Sequence, residues 1–294
     1  MKLTIVRKVL LLSCLSMCFL FVTSFYNFIS GFPYVSTIKT EKYNARRAEY
    51  YEQIQREPEK FQLTTKDNID IAGMIFYQPK ADSVLLICHG YKQSKEHLIA
   101  LANLFDEYTV VLFDLRAHGD SGGSLVSFGY HEYKDVQAVL DYLRNDSSLH
   151  NKKFYGLGIS MGAASIANAA SRGCSFDGLI LDSCFSSIDF DIVSKFVNIP
   201  KIFFNVGKFI FNILWRIDID SIKPGTFLSK ISCPLMIIHS KDDKKVSYDH
   251  AERLFEAASC QQKSIISCPG DHGRLFRYDS QFYKKIITDF LARV

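Results

Sequence analysis

A chain of 294 residues that is 48% hydrophobic and 22% charged can pack a core, which excludes a largely disordered protein. Its 35 basic and 31 acidic residues are interspersed and leave a formal net charge of +4, so no basic stripe or acidic tail points to nucleic acid as a partner. Once a short N-terminal segment is set aside, the length suits a single domain with an insertion.

Lys2, Arg7 and Lys8 precede an uncharged stretch, 9–38, that opens with VLLLSCLSMCFLFVTSFYNFI. About 20 apolar residues rising ~1.5 Å each cross the ~30 Å hydrocarbon layer, so 1–38 reads as an anchor that makes the bilayer a partner. A secretory signal peptide is the other reading, but its apolar region would be long, and no clear small-x-small cleavage site follows. A lipoprotein cysteine at Cys14 fits less well, because the apolar run before it is very short. The compact basic start favours a single pass with a cytoplasmic N-terminus and an extracytoplasmic domain. Lys39, Lys42, Arg46 and Arg47 on the far side, and the many cysteines, pull the other way. Cys14 and Cys18 lie in this leader, Cys174 in a loop, and Cys88, Cys184, Cys233, Cys260 and Cys268 at or near strand and helix ends. No C-x-x-C pair occurs, so free thiols are expected in place of a disulfide framework or a metal site.

A polar, charged connector covers 39–60, and the folded domain is expected over 61–294. There, strand-like apolar runs alternate with amphipathic helical windows, the signature of an α/β fold with a mostly parallel central sheet and helices on both faces. IDIAGMIFY (69–77) and SVLLICHG (83–90) are the first strands, parted by the turn-prone QPKAD. TVVLFDLR (109–116), FYGLGIS (154–160), LILDS (179–183), PLMIIHS (234–240) and KSIISC (263–268) continue the series. Helical periodicity occupies the windows 95–107, 131–144, 161–172, 249–258 and 280–292. Residues 185–228, with the Phe- and Ile-rich FVNIPKIFFNVGKFIFNILWRI, are too long for a simple connection. They form either a buried helix pair or a helical cap inserted between late strands, whose apolar inner face would meet an acyl group.

Gly158-Ile159-Ser160-Met161-Gly162 follows a predicted strand and opens a small-residue helix, MGAASIANAAS. A nucleophile elbow needs that setting: glycines clear the sharp turn, and the serine hydroxyl stands out on a strained backbone. A strand-helix loop with a capping serine is the plainer reading. A serine hydroxyl attacks a carbonyl once an imidazole takes its proton. His272, in CPGDHG, follows the last strand on a glycine-rich loop, and His118, in RAHG, is its one serious rival. His89 and His239 end strands, while His97, His131, His150 and His250 fall in or near helices. The imidazole needs an orienting carboxylate between 160 and 272. In HSKDD, Asp243 is spaced to turn back toward the His272 loop, with Asp242 and Asp182 as further possibilities. An oxyanion on the substrate calls for aimed amides. Met161 offers one from the elbow and Tyr91 another, where HGY is otherwise a tight strand-to-loop turn.

Together HGY at 89–91, FDLRAHGDSGG at 113–123, GISMG at 158–162, IIHSKDD at 237–243 and GDHG at 270–273 resemble, in order and spacing, the α/β-hydrolase superfamily over about 60–294. More narrowly, they are similar to its bacterial membrane-associated or secreted members, in the serine aminopeptidase or monoacylglycerol-lipase-like branch. The resemblance implies the α/β-hydrolase fold, with nucleophile, acid and base on Ser160, Asp243 and His272 and oxyanion amides on Tyr91 and Met161. Ser240 stands where the family pattern has Gly, and Ser247 where it has Pro. The HGGG signature of another lipase and esterase group is absent, and serine at the elbow in place of aspartate argues against dehalogenase or epoxide hydrolase chemistry.

The expected activity is cleavage of a carboxylic ester, with a hydrophobic or lipid-like acyl group, through an acyl-enzyme on Ser160 and with no metal or organic cofactor. The same triad would serve a peptidase, amidase or thioesterase. A reading of another class is a membrane-tethered protein that binds a lipid or partner without turnover.

Overall fold

The computed structural model describes residues 41–196 and 201–294, together with 16, 19, 22 and 23. One 8-stranded sheet has the order β1-β2-β4-β3-β5-β6-β7-β8. Its strands are β1 (Glu59–Thr64), β2 (Asp70–Phe76), β3 (Ser83–Cys88), β4 (Thr109–Phe113), β5 (Lys153–Ile159), β6 (Gly178–Asp182), β7 (Leu235–His239) and β8 (Lys263–Ser267). β2 runs antiparallel to β1 and β4, and every pairing from β4 to β8 is parallel.

The apolar runs account for this sheet. β3 and β4 are buried at every residue, as parallel strands between two helical layers must be. Their side chains alternate: Val84 and Leu86 join one core, Leu85 and Ile87 the other. The first core is covered by α3 (Tyr133–Asn145), which buries Val136, Val139, Leu140 and Leu143 at helical spacing, and by the small-residue α4 (Met161–Ser171). The second is covered by α2 (Ile99–Leu104) and by α10 (Ser280–Leu291), through Tyr283, Ile287, Phe290 and Leu291. α8 (Asp249–Ala257) and the short α9 (Leu275–Tyr278) flank β8 in sequence.

β1 is absent from the strands that hydrophobic periodicity predicts. EKFQLT fully buries a single residue, Phe61, so its alternation is faint, and it is recruited by pairing from Glu59↔Ile75 to Thr64↔Asp70. The connector is not a free linker either. Its helix α1 (Glu41–Tyr51) lies on the domain, with Arg47 bound to Asp120 and 3.0 Å from Glu96 and the ring of Tyr50 4.8 Å from that of His97.

The described residues of 185–228 carry four helical elements, α5 (Phe190–Phe196), α6 (Lys201–Trp215), a 3-10 turn (Ile219–Ser221) and α7 (Pro224–Leu228), all between β6 and β7. Ile192, Val193, Phe204 and Phe211 join the core, while Phe209, Ile213 and Leu214 are at least 60% exposed. The insertion therefore has a buried and an open apolar face. Among the described residues no helix is long and apolar enough to cross a membrane. The expected anchor, 1–38, lies outside the described residues apart from four isolated positions. Cys88, Cys174, Cys184, Cys233, Cys260 and Cys268 carry free thiols.

Candidate active site

The carboxyl ends of β5, β6, β7 and β8 converge on one edge of the sheet, where open parallel sheets characteristically form their sites. Ser160 turns the chain from β5 into α4 with φ 54° and ψ −112°, a conformation serine adopts only when its surroundings impose it. Two glycines make the turn possible. A Cβ on Gly158 would lie 2.4 Å from Ala163 Cα, and one on Gly162 would lie 2.3 Å from the Cys88 carbonyl oxygen. Ser160 N–H donates to the Asp182 main-chain oxygen at 2.8 Å, anchoring the turn to β6.

His272 leaves β8 on the loop before α9 and meets the elbow. Its Nε2 is 2.8 Å from Ser160 Oγ, and its Nδ1 is 2.7 Å from Asp243 Oδ2. The other carboxylate oxygen of Asp243 accepts the amides of Lys245 at 2.8 Å and Val246 at 3.0 Å. Burial would raise the Asp243 pKa, but the bond to His272 and these amides outweigh it and hold the carboxyl below its ordinary value. A charged carboxylate beside Nδ1 selects the tautomer that leaves Nε2 as an acceptor facing the Ser160 hydroxyl. That arrangement can draw a proton from the serine and return it to a leaving group.

Asp242 is exposed, its amide donating to Ser240 Oγ at 3.0 Å. Asp182 is wholly buried, and its carboxylate binds the hydroxyls of Ser183 at 2.7 Å and Tyr283 at 2.9 Å. Neither occupies His272 Nδ1. His118 is also buried; its Nδ1 donates to the Arg116 carbonyl at 2.9 Å and its Nε2 accepts from Lys92 N at 3.3 Å, so it serves the loops beside the elbow. A Cβ on Gly90 would lie 3.5 Å from Ser160 Cβ, which puts the main chain entering Tyr91 alongside the serine. The Tyr91 ring itself turns away onto Phe128, 4.9 Å between centroids. Met161 begins α4, where a helix's first amides have no intrahelical acceptor.

Two site residues escaped the sequence reading. His239 Nε2–H donates to the Val246 carbonyl at 2.8 Å, and the same nitrogen lies 3.5 Å from Asp243 Oδ2, bracing the acid loop. Ser183 accepts the amide of Gly273 at 3.1 Å. Their only signal was a strand end next to a loop that carries chemistry.

Among the described residues one acidic group, Glu96, Asp114 and Asp120, has its carboxylates within 4.8 Å of one another. Lys95 Nζ is 2.6 Å from Asp114, 2.7 Å from Asp120 and 3.1 Å from Glu96, and Arg47 contacts Glu96 and Asp120. Fixed cations thus already sit where a metal would, and the cluster reads as an internal ion-pair network.

Residues 84–277 match the model of the Alpha/beta hydrolase family. Among curated proteins, the chain is 26% identical over 246 residues to the uncharacterized protein YqkD of Bacillus subtilis, covering 81% of this chain and 80% of that one. It is 27% identical over 226 residues to the lysophosphatidylserine lipase ABHD12 of Danio rerio, covering 71% of this chain and 58% of the relative. Among solved structures, the Pyrococcus furiosus esterase Pf2001 superposes with a TM-score of 0.69 at 22% identity, over 82% of this chain and 94% of that one. This last likeness is one of fold.

Proposed function

Because the chain belongs to the alpha/beta hydrolase family, we propose that it is a serine hydrolase that cleaves a carboxylic ester through an acyl-enzyme on Ser160. The observation that carries this reading is the unbroken chain from Ser160 Oγ to His272 at 2.8 Å and on to Asp243 at 2.7 Å.

In this mechanism His272 Nε2 takes the hydroxyl proton as Ser160 Oγ attacks the ester carbonyl, and Asp243 stabilises the imidazolium that forms. Charge on the carbonyl oxygen is met by the main-chain amides of Met161 and Tyr91. Collapse of the tetrahedral intermediate expels the alcohol with the proton from His272. Water activated by the same imidazole then releases the acid and restores Ser160. No step needs a metal or organic cofactor.

A hydrophobic, lipid-like acyl group is the proposed substrate, supported by the apolar insertion 185–228 and by the lipase and esterase names of the relatives. The insertion serves as the cap; Lys195, at the end of α5, donates to the Lys245 carbonyl at 3.0 Å, beside the acid loop. Segment 1–38, with its apolar VLLLSCLSMCFLFVTSFYNFI, is the proposed membrane tether, with the catalytic domain on the extracytoplasmic side.

A fluorophosphonate probe tests the reading. The wild-type chain should be labelled at Ser160, and Ser160→Ala should lose both the label and ester turnover. An unlabelled wild-type chain would favour binding without turnover. A panel of esters, thioesters and amides of varied acyl length separates the ester reading from a thioesterase, amidase or peptidase.

A further inference from the structure

We propose that Asp182 and Ser183 are positioning residues that hold the elbow and the His272 loop in register, an inference that rests on the triad reading above. These two consecutive residues grip the main chain on both sides of the Ser160–His272 bond. Asp182 ends β6 opposite Ile159, and its carbonyl oxygen accepts Ser160 N–H at 2.8 Å. Its carboxylate accepts the Ser183 hydroxyl at 2.7 Å, and Ser183 Oγ accepts the amide of Gly273, next to His272, at 3.1 Å.

The polarity of this relay follows from proton count. A serine hydroxyl has one hydrogen; once the Asp182 carboxylate holds it, the oxygen is left as an acceptor for Gly273 N–H. All of this lies out of water, with Asp182 and Ser183 both 0% exposed, so each bond lacks a solvent substitute. Ser183 is held at φ 52°, a left-handed conformation that serine seldom adopts, and its amide is bound to the Ile238 carbonyl of β7 at 2.9 Å. The fold keeps this strained residue between the strand end that holds Ser160 N–H and the loop that carries His272. Gly273, at φ 62°, sits so close to the elbow that a Cβ there would be 3.1 Å from Ile159 Cγ2. The acyl-transfer chemistry does not itself use Asp182, because Asp243 already holds His272 Nδ1.

The test compares three variants of the full chain. Ser183→Ala should lower kcat and the rate of fluorophosphonate labelling at Ser160 together by about 10- to 100-fold, with KM for a soluble ester little changed, since a misplacement of ~1 Å costs that much. The low-field proton resonance of the His272–Asp243 bond should broaden or vanish. Ser183→Gly, which suits the left-handed backbone, should show the same kinetic loss without losing the fold. Tyr283→Phe removes the other hydroxyl on the same carboxylate but leaves the Gly273 tie, so it should lower the melting temperature and keep kcat near wild type. The proposal is overturned if Ser183→Ala retains kcat and labelling rate, or if Tyr283→Phe loses them equally. Loss of the fold in both Ser183 variants overturns it as well, by making Ser183 a general requirement of the core. A wild-type chain unlabelled at Ser160 would instead bring down the triad reading beneath it.

Discussion

Asp242 and Asp243 are neighbours in sequence, yet only the second turns its carboxylate inward, where His272 and two amides fix it. Asp243→Asn should therefore lower kcat by up to about 10⁴-fold, by favouring the wrong imidazole tautomer, while Asp242→Asn stays within about twofold. Steady-state kinetics on one soluble ester decides it; an equal loss in both would remove Asp243 from its role. Gly162 is constrained by backbone, which cannot swing aside as a side chain would. A Cβ there would lie 2.3 Å from the Cys88 oxygen and 2.6 Å from the His89 oxygen. Gly162→Ala should cost about 1–3 kcal/mol and displace the elbow, seen as a lower melting temperature with slow labelling. The turn at Ser160 and the loop that brings His272 to it were legible in the sequence because glycines and a strand-loop context are local. Spacing put Asp243 ahead of Asp242 and Asp182, but which carboxylate faces His272 depends on contact with a residue further along the chain.

The connector shows the same limit at the scale of elements. EKYNARRAEYY carries a weak helical signal and many charges, yet as α1 it lies on the domain through Arg47, Tyr50 and Tyr51, close to Glu96, His97 and Asp120. The network it joins is graded by burial. Lys95 is 3% exposed and holds the wholly buried Asp114, so Lys95→Met, which strands that carboxylate, should cost about 3–5 kcal/mol. Arg47, 26% exposed, should cost only about 1 kcal/mol as Arg47→Ala. Urea denaturation of the two variants measures the ratio, and equal losses would contradict the burial argument.

For the whole molecule, buried histidines and paired carboxylates set the acid limb of stability. Burial holds His97 and His118 down to about 4, against 6.5 in the unfolded chain. As pH falls from 6.5 toward 4, the unfolded chain takes up protons that the fold refuses, so stability declines. Burial also lowers His89, His131, His239 and His250, while Asp182, Asp114 and Asp135, pushed up by burial, work the other way and return part of the loss, because the fold protonates them first. Against burial, Arg47 and Lys95 hold Asp120 at about 2, and Arg116 and Lys134 hold Asp67 low. Their stabilisation is complete above the ordinary carboxylate range and is lost as pH falls through the lowered values. Calorimetry should therefore show a shallow fall in melting temperature from pH 6.5 to 4 and a steep one below 4. A melting temperature that rises on acidification through the upper window would refute the assignment.

The sequence by itself determined the class of the fold, the strand order along the chain, the elbow at Ser160 and the loop of His272. Each is written in a short stretch, by hydrophobic period or by glycine placement. Only the tertiary structure decided that β1 joins the sheet, that α1 docks on the domain, that Asp243 is the carboxylate on His272, and that Ser183 ties Gly273 to Asp182. β1 is a hairpin partner close in sequence whose alternation is faint because EKFQLT buries one residue; the others depend on contacts between segments 29 to 90 residues apart, which leave no periodic trace in either partner.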